Sequence, residues 1–516
     1  MIKKNELYQP YRYNRRDWLQ LSSLAVGAIC IPDTLSMDDN QLSYQYYLAQ
    51  IETTSFSLPA NKTAPFDWPV AEVPVTGNSL VLHWNKKPGR KNRNMRFRIT
   101  SATDVREECT LEISLALSQQ KIGVLDIRYA HYMQPFEIPV SSDLMTHIVS
   151  EGIVLKMIKG TKPFWFFART AEAKEIPDAY LPHLLVYGQS VDAEAWKKRL
   201  LSLASLSTFG WMEGCVLDGI HTMESHDKNA AQVLQQHLDK YFAGNTLLYQ
   251  NLYNLRSAEK INTVESILPF AILALRNPQH HMLQKAIDFC MAHSDAAGVV
   301  ADELGENRRL KTEECYTISY PLSILAVKLN RPELEKMAIA NLEARVKLLA
   351  NNDFIYQNSK ELETPVFGNW ARGVAWYLLG LAKTLAVLKD KEETKMLIAA
   401  FQKGAELVMR YQQTDGLWTC FLHEPETAVE TSGSAGIAAA LAYGYAHKLL
   451  GESSKAAAEK CLRSLRGFYT PDGFLTGTAQ VNKGGPNLQR NGFRVISPYT
   501  LGFIGILETS LDKKNK

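Results

Sequence analysis

Trp370, Arg372 and Trp376 fall at i, i+2 and i+6 in the run Asn369-Trp370-Ala371-Arg372-Gly373-Val374-Ala375-Trp376-Tyr377, where a loop gives way to a helical pattern. These types suit a carboxylated sugar. An indole face stacks on the C–H side of a pyranose ring, and a guanidinium presents a planar donor fork that meets a carboxylate in two parallel hydrogen bonds. A uronic acid asks for both. The same residues would serve equally as core aromatics and a surface cation, so the choice falls to the rest of the chain.

Glu313 and Glu314 stand side by side in Thr312-Glu313-Glu314-Cys315-Tyr316. Adjacent residues leave a helix about 100° apart, so only one of the two carboxyls can aim squarely into a cleft. The other would be a helix-start charge behind Thr312 as N-cap, favoured there by ~0.3 to 1 kcal/mol. The long polar segment from 477 to 494 supplies Lys483, Arg490 and Arg494 as further cations for an acidic glycan, and Asp302, Glu303 and Glu306 precede the Glu313 segment. Each of these would also be at home on a solvated surface.

Such side chains need a scaffold. From about residue 200 apolar residues recur at helical spacing over Ile267 to Leu275, Met282 to His293, Tyr316 to Leu329, Pro332 to Leu349, Val374 to Val387, Glu393 to Gln412, Ser434 to Leu450, Ser454 to Phe468 and Tyr499 to Leu511. Turns such as Thr414-Asp415-Gly416-Leu417-Trp418 and Pro471-Asp472-Gly473-Phe474 separate them. Recurring helical hairpins that cannot bury their faces alone predict a closed α/α toroid over 200–512, its active site in the funnel where the loops converge. Residues 38–195 read instead as short alternating strands, among them Ser79 to Trp84, Met95 to Ile99, Leu111 to Leu117, Gly123 to Tyr129 and Phe164 to Phe167, and predict a β-sandwich-like domain. Its expected role is to pack beside the toroid or to mediate homo-oligomer contacts. The fold expected is thus multidomain, α and β.

Over residues 1–36, Asn14-Arg15-Arg16-Asp17-Trp18-Leu19-Gln20 precedes the short apolar run Leu21 to Ile31, the order of a twin-arginine export signal, so a periplasmic location is expected. The run is too short for a stable membrane span. With 57 Lys and Arg against 54 Asp and Glu, a formal +3 and no sustained basic run, nothing suits nucleic acid. The seven cysteines are scattered without CxxC pairs, which gives no disulfide framework, metal site or cofactor.

Residues 255–510 resemble the unsaturated glucuronyl and rhamnogalacturonyl hydrolases, (α/α)6 barrels acting on terminal uronic acids. Trp370-x-Arg372-x-x-x-Trp376 is similar to that family's substrate segment, Thr414 to Trp418 to its Asp-Gly-Leu-Trp turn, and Glu430-Thr431-Ser432-Gly433-Ser434-Ala435 to its Glu-x-Ser-x-Ser-Ala helix start. The resemblance places the acid at Glu313 or Glu314, with Glu313 preferred because two residues separate it from Tyr316 as in the family's Asp-x-x-Tyr/Phe motif, a second carboxylate at Glu265, and substrate contacts at Trp370, Arg372, Trp376, Tyr316, Tyr356, Trp418 and Glu430. Glu430 is also suited to capping its helix. Both family carboxylates are Asp where this chain has Glu, and the loop 354–358 lacks the family's His. These departures resemble more a toroid β-glucuronidase branch that removes saturated glucuronic acid. An exo-acting glycoside hydrolase on an acidic oligosaccharide is expected. A polysaccharide lyase with Tyr316 or Tyr356 as base, and a noncatalytic glycan-binding toroid, are the alternatives.

Overall fold

A computed structural model describes residues 44–512 apart from 52–57, 60, 77–78, 86–93, 170–175, 189–191, 252, 306–307, 361–364 and 389–390. The expected export signal and Glu306 lie outside the described residues.

Two antiparallel sheets occupy the first part of the chain. One runs in the order Tyr44–Leu48, His183–Tyr187, Asn94–Thr100, Pro135–Val140; the other runs Gln50–Ile51, Leu80–His83, Ile153–Lys159, Glu108–Leu115, Lys121–Arg128. Phe97 and Ile99 of the first and Leu111, Ile113 and Leu155 of the second bury their side chains in one shared core. The strands at 44–48, 135–140, 153–159 and 183–187 are absent from the sequence expectation. Pro135-Phe136-Glu137-Ile138-Pro139-Val140 carries two prolines, a composition that argues against strand, and Ile153-Val154-Leu155 is continuously apolar because both of its faces are covered.

The helical part closes on itself. Trp211–Met223, Leu268–Arg276, Tyr320–Leu329, Ala371–Leu388, Thr431–Ala446 and Thr500–Asp512 each touch the next in that order, and the last returns to the first. Each also carries an outer partner: Ala230–Phe242, Met282–Ala292, Pro332–Leu349, Lys395–Tyr411, Glu452–Leu465 and, against Thr500–Asp512, the short Ala195–Leu200. Outer helices are amphipathic; in Lys395–Tyr411 the buried residues Leu397, Phe401, Gly404, Ala405, Leu407 and Val408 form one stripe. Inner helices are buried nearly all round. That hid Trp211–Met223, which mixes Gly214, Gly219, Glu213 and Asp218 and shows no apolar period. Gly219 and Gly502 let the ring close, since a Cβ on Gly219 would stand 2.5 Å from the Cα of Gly502. Ala371–Leu388 alone among the described residues is long and apolar enough to cross a membrane, and it lies buried inside the ring.

A buried ionic cluster fastens the sheets to the ring. Asp472, in one of the Asp-Gly turns, accepts Arg98 Nη1 at 2.6 Å, Arg199 Nη2 at 2.9 Å and the Tyr46 hydroxyl at 2.6 Å, while Glu137 accepts Arg98 Nη2 at 2.7 Å. Arg98 and Arg199 both lie over the ring of Phe474.

Candidate active site

The candidate residues gather at one end of the ring. Glu265 precedes the inner helix Leu268–Arg276, Glu313 precedes Tyr320–Leu329, Arg372 lies in the first turn of Ala371–Leu388, and Glu430 caps Thr431–Ala446. Contacts across the ring tie these N-terminal ends together: Lys311 Nζ to Glu265 Oε1 at 3.4 Å, the Ala479 amide to Glu430 at 2.8 Å, and Arg372 to the Tyr499 hydroxyl at 3.3 Å.

A three-stranded hairpin set, Arg309–Lys311 beside Tyr356–Lys360 beside Val366–Gly368, delivers the chain into Thr312, Glu313 and Glu314. A π-helical turn at Cys315–Ser319 follows and runs into Tyr320–Leu329. Turns of this kind are rare and cluster at functional sites. Gly380 of the neighbouring inner helix makes room for it, because a Cβ there would stand 2.2 Å from the carbonyl carbon of Cys315.

Here the two adjacent carboxylates part company. Glu314 is fully buried and accepts Arg345 Nη2 at 2.6 Å and the Lys311 amide at 2.9 Å; Arg345 is itself held by the carbonyls of Val300, Lys311 and Asn341. Its carboxylate is spent on joining the hairpin to the helix Pro332–Leu349, which corrects the expectation of a catalytic Glu314 or a plain helix-start charge. Among the described residues no cation forms a salt bridge with Glu313. Gln357 Nε2 donates to its Oε1 at 2.7 Å and the Thr312 hydroxyl reaches Oε2 at 3.4 Å, so the Thr312 hydroxyl bonds the acid. Burial first, and then the charge of Glu265, push the Glu313 carboxyl up to about 7, with Lys311 opposing. Such a group carries its proton near neutral pH, as a general acid must.

Glu265 lies in the one-turn 3₁₀ segment Val264–Ile267. Lys311 Nζ bridges it to Asp302, 2.7 Å away on the other side, and Asp302 also receives the Val264 amide. Burial works against the Lys311 ammonium, yet Glu265, Glu314 and Asp302 together hold it well above its ordinary value. Lys311 and Gln357 were missed in the sequence. Gln357 becomes a neighbour of Glu313 only through the pairing of 309–311 with 358–360, Lys311 meets Glu265 and Asp302 only in the fold, and those short polar strands give no pattern of their own.

The remaining expected contacts divide. Arg372 is 2% exposed; its fork donates to the carbonyls of Ala479 at 2.5 Å and Gln480 at 2.8 Å and stacks over Trp370. The guanidinium holds a loop, which corrects its reading as a clamp for a sugar carboxylate. Trp370 is buried with Nε1 on Gln489, and Trp376 is buried between Trp211, Tyr316 and Phe503. Trp418 is fully buried with Nε1 on the Val408 carbonyl. These indoles are core residues in this structure. Tyr316 donates to Asp218, itself paired with Lys383 at 2.8 Å, and burial and Asp218 push the phenol far up, which removes it as a lyase base. Glu430 accepts the amides of Ser432 at 2.9 Å and Gly433 at 2.5 Å, a helix cap. Arg494 is buried on the carbonyls of Thr427 and Val429, and Arg490 pairs with Glu424 over the ring of Phe421. Tyr356 is half-buried against Phe354. Lys483 pairs with Asp104 of the sheet region.

A ring of six helical hairpins with a proton-bearing carboxyl at its loop end defines a toroidal glycoside hydrolase. Residues 190–502 match the model of Glycosyl Hydrolase Family 88, and the chain belongs to that family. It is 34% identical over 73 residues to the unsaturated rhamnogalacturonyl hydrolase YesR of Bacillus subtilis, a match spanning 14% of this chain and 21% of that relative. In structure it is similar to a possible family 105 member from Salmonella enterica (TM-score 0.53, 18% identity, 62% of this chain and 92% of that one). A family 105 glycoside hydrolase of C. acetobutylicum is as similar (TM-score 0.53, 17% identity, 63% of this chain and 100% of that one). These likenesses show the toroid fold.

Proposed function

We propose that the protein is an exo-acting uronidase that releases a terminal uronic acid from acidic oligosaccharides, with Glu313 as the acid. One observation carries this: Glu313 is a buried carboxyl at the loop end of the ring, hydrogen-bonded by Gln357 and with no salt bridge among the described residues, with its titration near 7. The inner helices also turn their N-termini to this end, and their aligned dipoles favour an anionic substrate there. For a Δ4,5-unsaturated uronic acid one acid suffices. Glu313 gives its proton to C4, water adds at C5 and loses its proton to Glu265, and the hemiketal so formed opens with release of the leaving alcohol. YesR is named for an unsaturated substrate, which favours this route.

A second reading rests on Glu265, whose carboxylate stands in an ion pair with Lys311 beside the acid. Cleavage of a saturated β-glucuronide needs such a second carboxylate, as nucleophile or as base toward water. Saturated and Δ4,5-unsaturated disaccharides, assayed side by side by loss of ultraviolet absorbance and by product mass, separate the two. Gain of one water with loss of the double bond supports the first reading. Turnover of neither substrate would refute both, and a product with a newly formed double bond would show a lyase. We further propose periplasmic export; normal export of an Arg15→Lys/Arg16→Lys variant would refute the twin-arginine signal.

A further inference from the structure

With the Arg372 fork occupied by carbonyls, the carboxylate of a uronide needs another cation, and the boundary between sheets and ring supplies one. Lys483 lies in the short 3₁₀ turn Asn482–Gly484, and its Nζ is 3.2 Å from Asp104 Oδ1. Asp104 and Arg106 stand in the loop that joins the strands Asn94–Thr100 and Glu108–Leu115 of the sheet region. Arg106 pairs with the other oxygen of Asp104, and its guanidinium lies over the exposed ring of Tyr253. The Asp104 loop is fixed to the ring by a reciprocal pair of bonds with Asn254: the Asp104 amide donates to Oδ1 at 2.7 Å, and Nδ2 donates to the Asp104 carbonyl at 3.5 Å.

Among the described residues the corner gathers more cations than carboxylates. Two cations share one buried carboxylate, and both keep part of their side chain open, 26% for Lys483 and 36% for Arg106 against 1% for Asp104. Around Glu313 the balance is the reverse, with Lys311 set between Glu265 and Asp302. Ala479 and Gln480, a few positions before Lys483, are held by Glu430 and Arg372 at the N-terminal ends of the inner helices, so Lys483 stands at the same end of the ring as Glu313. An end that carries a negative acid corner and a positive corner orients an anionic sugar, carboxylate toward the cations and scissile bond toward the acid.

We propose that Lys483, positioned by Asp104 of the sheet region and assisted by Arg106, receives the substrate's uronate carboxylate, so that the sheets complete the specificity site of the ring. This rests on the uronidase reading above and names the residue that selects for the acid. Asp104 is a positioning residue here; Lys483 and Arg106 touch the sugar.

The test is calorimetric binding to the full chain carrying Glu313→Gln, so that ligand is not consumed. The probes are a Δ4,5-unsaturated uronyl disaccharide and methyl β-glucuronide, each compared with its carboxyl-reduced counterpart. The charged form should bind about tenfold or more tightly, as expected for a charge-assisted contact. Lys483→Met should erase that preference and leave the neutral ligand's affinity in place, and Lys483→Arg should retain most of it. Should Lys483→Met fail to fold, Arg106→Gln at the more open position is expected to cut the preference about threefold. A preference unchanged in Lys483→Met, or in Arg106→Gln if that variant alone folds, overturns the proposal, as does a parent protein that binds both forms alike. A Lys483-dependent preference in a protein that turns over no uronide would leave this inference standing and refute the uronidase reading. Turnover with a Lys483-independent preference would do the opposite.

Discussion

Glu313 and Asp472 are both buried carboxyls, and they behave in opposite ways. Asp472 sits among Arg98, Arg199 and the Tyr46 hydroxyl, and although burial pushes its titration up, the two guanidiniums outweigh it and hold the group far below the usual carboxylate range. Glu313 has Gln357 for a partner and Glu265 for a neighbour, so burial prevails and the carboxyl rises to about 7. Burial alone therefore assigns no role. The charge next to the group decides whether it fastens two parts of the protein or carries a proton.

The sharpest way to break this contrast is Glu313→Gln, which keeps shape and polarity and deletes the transferable proton. We expect kcat to fall about 10² to 10⁴-fold on a natural disaccharide. Glu314→Gln serves as its counterpart, with its effect in the thermal midpoint more than in kcat, because it leaves Arg345 buried without a charge partner. Wild-type turnover in Glu313→Gln would sink the assignment.

Asp472→Asn should cost about 3 to 5 kcal/mol, since it takes the carboxylate partner from buried Arg199 and one of the two carboxylates that hold buried Arg98. The pH dependence gives the sign. A depressed carboxyl contributes stability above its unfolded value and loses it as pH falls through the folded one, so wild-type and Asp472→Asn should converge in thermal midpoint under acid. Glu313 runs the other way. Its folded value is raised, so its contribution is present below the unfolded value of about 4.3 and is lost as pH rises toward 7. Glu313→Gln should accordingly be as stable as wild type near pH 4 and more stable at pH 8, by at most about 4 kcal/mol. Midpoint differences that do not change with pH in these two variants would erase the comparison.

The smallest effect is expected from Glu265→Gln on the pH profile. Removing its charge lets the Glu313 carboxyl titrate lower, and the alkaline limb of kcat/KM should move to lower pH. An unmoved limb, measured on whatever activity remains, would disconnect the two residues.

The ring was legible because its outer helices show period 3.6 and its turns carry Asp-Gly, and the capping role of Glu430 was legible from Glu-Thr-Ser before an apolar run. Contacts between distant segments were not. Nothing local shows that Arg372 spends its fork on carbonyls at 479 and 480, or that Arg345, 31 residues on, claims Glu314 and leaves Glu313 free. The same holds for Asp104, whose partner Lys483 lies 379 positions away on another part of the fold. Residue types announced the chemistry; which charge met which was written in the strand pairings and loop crossings that short polar segments do not encode.

The π turn at Cys315–Ser319 fixes a rotational phase. It holds one residue more than an α turn would, so the chain before it is turned by about 100° relative to a continuous helix. Loss of one residue within that turn would make it an ordinary α turn and leave Glu313 at the acid position and Glu314 facing Arg345. Gain of one residue would instead carry Glu314 to the acid position and set Cys315 against Arg345, stripping that buried guanidinium of its carboxylate. The turn therefore tolerates shortening better than lengthening, and descendants of this chain that differ in length here should be those with a deletion.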